Sequence, residues 1–272
     1  DGDEALGRVY NTNTDKIIHA RFALDGGLAA VDGEFELPGV GGSGAPVRME
    51  FHDPGGAGTG RLLPTGNAVD EIPIEGRGPV EASLVDSANP CVFVEARTLG
   101  LSGTESPFEI DGNPEIMKDL ETIRAQAAVM MGIAKTPTEA SQSSPNTPFV
   151  GMVAPPEDAD TLSGERIKGR DGDLTARIVS SGNTHRALPL TGALCSAKAA
   201  RIEGTVVHRH TRPARNADAD INLMQPSGIL AVACSVRHSS EGWVVDHAAV
   251  YRTQRRLFEG RVLVPAARLP GP

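Results

Sequence analysis

The sequence predicts an α+β fold, rich in sheet and poor in helix, on three observations. Aromatic residues make up 4% of the 272, so the core must be built from Val, Ile, Leu, Ala and Met. Gly 31 and Pro 20 supply turns for many short elements. The strand-like segments are interrupted by two separated helix-like segments and do not alternate with them as βαβ units would.

Taken in order, residues 7–24 read as strand, polar turn and strand, with Ile17, Ile18, Ala20 and Phe22 apolar. Residues 33–53 place glycine-rich loops between Phe35-Glu36-Leu37 and the alternating Val47-Arg48-Met49-Glu50-Phe51. A loop follows at 55–60, then a β region at 80–95 broken at Asn89-Pro90. Residues 113–132 predict a helix. Asn113 suits the N-cap, Pro114 the first helical position and Glu115 the first turn. Ile116, Leu120, Ile123, Ala127 and Met130 then recur at helical spacing. Residues 136–148 read as a polar loop or short turn, and strands resume at 149–153 and 174–179. The second helix, 189–201, has so little polar surface that it must be buried nearly all round, with Gly204 beyond its end. Strands return at 229–234, 243–245 and 262–264.

A net charge of −9 and a pI near 5.3 argue against nucleic acid as a partner. They leave room for an acidic small molecule, because a pocket can be locally positive. The longest apolar stretch, 228–236, is too short to span a bilayer, and the sequence carries no charged-then-apolar signal-peptide pattern. Cys91, Cys195 and Cys234 at wide spacing fit reduced thiols packed in the core of a cytoplasmic protein. The chain opens Asp1-Gly2-Asp3 without Met and reaches a strand within ten residues, as a piece of something longer would.

Several motifs fail their tests. Residues 39–44 match the G-x-G-x-x-G spacing, but Pro38 precedes them and a strand-like segment follows, so they read as a loop. The basic run His208-Arg209-His210-Thr211-Arg212-Pro213-Ala214-Arg215 reads as a solvated loop or as a mouth for anions, and His208 and His210 lack a third metal ligand. More informative is Ser180-Ser181-Gly182-Asn183-Thr184-His185-Arg186, just before the buried helix. It is either an ordinary capping segment or a carboxylate site at a helix N-terminus.

Several stretches resemble one family in order and spacing. They are Asn11-Thr12-Asn13-Thr14, Leu63-Pro64-Thr65-Gly66-Asn67 with Asp70, Asn89-Pro90-Cys91-Val92-Phe93-Val94, and Gly103-Thr104-Glu105. With them go the Ile123-Arg124 to Met131-Gly132 helix, His185-Arg186-Ala187 with Thr191-Gly192-Ala193, and Gln225-Pro226-Ser227-Gly228. The family is that of 2-methylaconitate cis-trans isomerase, methylitaconate Δ-isomerase and 4-oxalomesaconate tautomerase. The resemblance implies a diaminopimelate-epimerase-like fold, two similar domains with sheets curled around buried central helices and the active site between them. It also implies cofactor-independent isomerisation of a small di- or tricarboxylic acid, with no metal. A base removes an allylic proton, the charge spreads into a carboxylate as a dienolate, and a proton returns elsewhere.

One departure from the family pattern is large. The family's lysine and cysteine, the expected proton-transfer groups, lie in N-terminal motifs that do not occur here, and Lys16 and Cys91 sit in other motifs. The chain is therefore expected to lack the N-terminal portion and to be inactive alone. Residues 1–32 and 255–272 would form a remnant of the first domain, and 33–254 the second domain. The catalytic residue stays unassigned, with His185 as the candidate. The expected substrate-binding residues are Asn13, Thr14, Thr65, Gly66, Asn89, His185, Thr191, Gly192, Ser227 and Gly228. The expected partner is a di- or tricarboxylate, with neither nucleic acid nor membrane, and a homodimer is the assembly to test. The alternative reading is a non-catalytic polycarboxylate-binding or dehydratase-accessory relative.

Overall fold

The protein is described here from a computed structural model that covers residues 3–12, 16–52, 55–213, 219–240, 242–255, 257–261 and 263–265. Eleven strands follow one path through the main sheet. In chain order they are β1 (Glu4–Asn11), β2 (Lys16–Asp25), β3 (Val47–His52), β4 (Asp70–Ile74), β5 (Gly78–Asp86) and β6 (Pro90–Glu95). They continue with β7 (Phe149–Ala154), β8 (Leu174–Ser180), β9 (Ile221–Gln225), β10 (Gly228–Ser239) and β11 (Gly242–Arg252). Their spatial order is β1-β2-β3-β11-β10-β9-β8-β7-β6-β5-β4. The pairs β6–β7 and β8–β9 are parallel and the others antiparallel. β2 bonds to β3 and β3 to β11, so the main sheet runs without a gap across residues 32 and 33.

Period-two alternation splits the β4–β9 half of the sheet into two cores. Cys91 and Phe93 of β6 face one cluster, while Val92 and Val94 face the other. The second cluster is covered by α2 (Pro114–Met130), through Ile116, Leu120, Ile123 and Ala127. Both faces are dry, which is why the run Cys91-Val92-Phe93-Val94 is apolar throughout.

The first cluster is built around α4 (Leu190–Ala199), whose residues from Gly192 onward are all buried. Strands β5, β6, β7, β9, β10 and β11 all contact it, so the sheet curls round this helix from both sides. Small side chains allow that approach. A Cβ on Gly192 would lie 2.6 Å from Ile178 Cδ1.

The predicted helices are both present. Asn113 accepts from the Ile116 N–H as the N-cap of α2, with Pro114 first inside. Three expectations need correction. Residues 136–148 are not only loop: Thr136 caps α3 (Pro137–Ser143), again with proline in the first turn. The basic run begins as a short helix, α5 (Val206–His210), because Thr205 Oγ1 accepts from the His208 N–H. Arg209 reaches Glu81 at 2.7 Å and His210 lies 3.8 Å from Glu95, so neither is spare for an anion. Finally, Leu263 and Val264 form no strand and stand exposed, and Val262 lies outside the described residues. A short helix, α1 (Pro107–Asp111), with a Ser106–Glu109 capping box, completes the set. No helix among the described residues is long and apolar enough to cross a membrane.

Candidate functional site

The N-terminus of α4 is the candidate anion site. Pro189 occupies the N-cap position and brings no capping side chain, and the first turn holds no acidic residue. The Ala193 N–H makes the first helical bond, to the Pro189 carbonyl. The N–H groups of Leu190, Thr191 and Gly192 precede it, at the positive end of the helix dipole. Thr191 opens onto a cavity of about 30 Å³ whose walls include Asn11, Lys16, Phe51, His52 and Ala88. The cavity is mainly apolar, with the positive end of the α4 dipole at Thr191 and Lys16 among its walls. Its volume is that of one water or one carboxylate oxygen.

The wall at Ala57 is fastened from behind. Asp86, fully buried at the end of β5, accepts from the Gly58 and Thr59 N–H groups at 2.8 and 2.5 Å and from Thr59 Oγ1 at 2.8 Å. All three bonds use Oδ2; Oδ1 is buried and accepts none. Lys198, in the last turn of α4, is also fully buried, and its Nζ makes no hydrogen bond among the described residues. Burial pulls its pKa from an ordinary 10.5 down to about 8, against the attraction of Cys195, Cys234, Cys91 and Asp86. Burial likewise pushes the Cys91 thiol well up, so Cys91 is a core thiol and not a nucleophile.

The sequence-predicted residues divide into two groups. The segment entering α4 gathers one set. Ser227 Oγ donates to the Arg186 carbonyl at 2.6 Å, and Gln225 Oε1 accepts from the Leu188 N–H at 2.6 Å, so the β9–β10 turn is tied to this segment. Gly228, with φ 133°, completes that turn against Pro38. His185 packs on Phe149, ring centroids 6.0 Å apart, and Phe149 in turn borders Gly192. Ser180 Oγ lies 2.7 Å from His185 Nε2. Burial lowers the His185 pKa, which keeps the ring neutral at pH 7. Asn89, whose amide donates to the Pro90 carbonyl, follows the cavity-lining Ala88.

The remaining predicted residues lie elsewhere. Thr65 Oγ1 donates to Asp70 at 2.6 Å, and Gly66 closes the same turn with φ 84°. This turn leads to Ala68, which touches Gly204 past the opposite end of α4. Asn13 and Thr14 lie outside the described residues. Residues 180–184 form a tight hairpin with positive φ at Ser181 and Gly182, so their polarity serves the turn. Lys198 and Asp86 were not singled out from sequence. The available signal was a lysine inside a helix with no wet face.

In fold and sequence the chain is similar to known isomerases. The crystal structure of methylitaconate-delta-isomerase superposes with a TM-score of 0.88 at 38% identity, covering 100% of this chain and 69% of that one. The 3-methylitaconate isomerase of Eubacterium barkeri is 39% identical over 262 residues, 96% of this chain and 67% of its own length. The 2-methyl-aconitate isomerase of Shewanella oneidensis is 34% identical over 261 residues, 95% and 65%. The chain thus spans about two thirds of the length of the curated relatives it matches. The sheet curled round a buried helix is the diaminopimelate-epimerase-like arrangement that the motifs implied. The family model for PrpF protein matches residues 5–265, nearly the whole described sheet and α4 with it, and the chain belongs to that family.

Proposed function

We propose that this chain is part of a cofactor-independent isomerase that shifts a double bond in a small di- or tricarboxylic acid, such as 2-methylaconitate, methylitaconate or 4-oxalomesaconate. The observation that carries the reading is the uncapped N-terminus of buried α4, opening on a cavity beside Lys16 and Thr191. In this reading the site holds one carboxylate of the substrate. Negative charge spreading into that carboxylate as a dienolate forms is stabilised by the first-turn N–H groups and the helix dipole. The cavity of about 30 Å³ is far smaller than a pocket for a whole tricarboxylic acid, on the order of hundreds of Å³. The other wall, and the base that removes the proton, are then supplied by family sequence that this chain does not span. His185, neutral and beside the helix entrance, is the alternative base. The three free, buried thiols support a cytoplasmic setting.

Proton NMR in deuterated water, with each of the three acids, tests this. Double-bond migration and deuterium uptake are followed for this chain and for a protein extended to the full family length. Turnover by the extended protein alone is the expected result. Turnover by this chain, abolished by His185→Ala, would move the base to His185. Tight binding by the extended protein without turnover of any acid would replace the isomerase reading by that of a polycarboxylate-binding relative.

A further inference from the structure

We infer that the polar face of the β2–β3–β11 sheet carries a divalent metal site, built from His19, Glu50 and His52, the last of which also borders the cavity at Thr191, and suited to an ion of the zinc class. The register puts the three together. Glu50 and His52 are two residues apart on β3 and share a face, and His19 on β2 stands directly opposite Glu50. The other face of β3, with Met49 and Phe51, goes to the core. The three offer their ligand atoms to one point. His52 Nε2 and His19 Nδ1 are 3.0 Å apart, and Glu50 Oε2 lies 3.8 Å from the first and 4.0 Å from the second. Around tetrahedral zinc, with bonds of about 2.0–2.1 Å, neighbouring ligand atoms sit about 3.3 Å apart, so each edge is within about 0.7 Å of fitting.

The surroundings support a site rather than a chance meeting of side chains. The Glu50 side chain is 10% exposed and the His19 side chain 25%, which limits the freedom of both. Arg21 Nε lies 3.2 Å from both carboxylate oxygens and Arg48 Nε 3.3 Å from Oε1. The arginines therefore fix the carboxylate, Arg48 through Oε1 and Arg21 through both oxygens, while Oε2 also faces the imidazoles. Their positive charge disfavours ions that rely on charge alone, such as calcium or magnesium. It selects for ions that bind imidazole strongly, which two nitrogens and one carboxylate oxygen also favour. His247 on β11 is the direct register partner of His52. Cross-strand partners typically have Cβ atoms about 5 Å apart, so His247 borders the cluster without belonging to it.

The probe is cobalt(II), whose visible d–d absorption reports four-coordinate nitrogen and oxygen ligation, followed by displacement with zinc(II). Chelator-treated protein is titrated with cobalt, alongside His52→Ala and His19→Gln variants checked for native circular dichroism. One cobalt per chain, with an intense visible band that zinc abolishes and at least tenfold weaker binding in either variant, is the expected result. If one variant fails to fold, the other decides, because both histidines must contribute. Absence of the band, or a band of unchanged strength in a folded variant, overturns the site. The outcome does not depend on isomerase activity.

Discussion

Lys198→Met tests the most costly feature of the core. The wild-type ammonium is fully buried in α4, and Nζ has no hydrogen bond among the described residues. Burial lowers its pKa from 10.5 to about 8. That gap corresponds to about 3 kcal/mol of destabilisation where the lysine is charged in both the folded and the unfolded chain. Between pH 8 and 10.5 the unfolded state binds the proton more tightly than the folded state, so the lysine's contribution to stability rises with pH across that window. At pH 7 the whole cost is present. Methionine fills a similar volume and carries no charge, so the variant should be more stable by about 3 kcal/mol at pH 7. That is roughly 6 to 12 °C in Tm for a chain of this size. The gain should shrink through pH 8 to 10. Cys91 and Cys234 add a slope of the opposite sign, since burial raises both thiols and stability falls as the unfolded chain ionises first. The Lys198 charge holds both thiols down in the wild type, so its loss raises them further and shrinks the variant's gain toward pH 10 in the same direction as the lysine titration. Urea unfolding followed by circular dichroism at pH 7 and pH 10 measures that gain. A variant destabilised equally at both values would show that the ammonium is effectively paired with Asp86, and the reasoning would fail.

Three other substitutions probe the framework. A Cβ on Gly151 would sit 2.4 and 2.7 Å from ring carbons of fully buried Phe93, so Gly151→Ala should cost about 3 kcal/mol in urea unfolding, with partial recovery in a Phe93→Leu background. Buried Arg124 bonds Glu121, Ser141 Oγ and the carbonyls of Ser144 and Thr147. Arg124→Met should cost about 3 kcal/mol and speed hydrogen exchange in α3 before it does so in α2. Ser227→Ala removes the 2.6 Å bond to the Arg186 carbonyl. It should cost about 1 kcal/mol of stability and lower tricarboxylate affinity, read by calorimetry in the family-length protein.

Local signals located the elements, and register located what the sequence left dispersed. Asn113-Pro114 fixed the start of α2 because cap and first turn are nearest-neighbour chemistry. The buried character of α4 was equally plain, since Leu190, Ala193, Leu194 and Ala197 leave no polar stripe. α3 was missed because its Ser- and Thr-rich composition masks a Thr136 cap with proline behind it. The candidate site was legible only in part. The motifs at 185–192 and 225–228 do come together, joined by two hydrogen bonds that no spacing foretells. Thr65 and Gly66 belong to a turn that leads to the other end of α4, where family likeness alone gives no distance. His19, Glu50 and His52 are 31 or more positions apart in part, and only the β2–β3 register aligns them.

Lys198 costs stability, but its position gives the charge a use. It sits in the last turn of α4, where the negative end of the dipole favours a cation. Thr191, at the other end, is seven residues away, or about 10 Å along the axis. The Asp86 carboxylate holds Gly58 and Thr59, next to the cavity wall at Ala57, and attracts the Lys198 charge. A second carboxylate arriving at Thr191 would be repelled by Asp86 unless a positive charge stood close behind it. At an effective dielectric of about 20, two unit charges about 10 Å apart interact by roughly 1.5 kcal/mol. Lys198 offsets a term of that size, so the stabilised Lys198→Met protein should bind carboxylate about tenfold more weakly at pH 7. The same loss should develop in the wild type as pH rises past about 8, where the lysine gives up its proton. Stability and anion affinity then move in opposite directions along one titration, a pairing that a lysine kept only for packing would not produce.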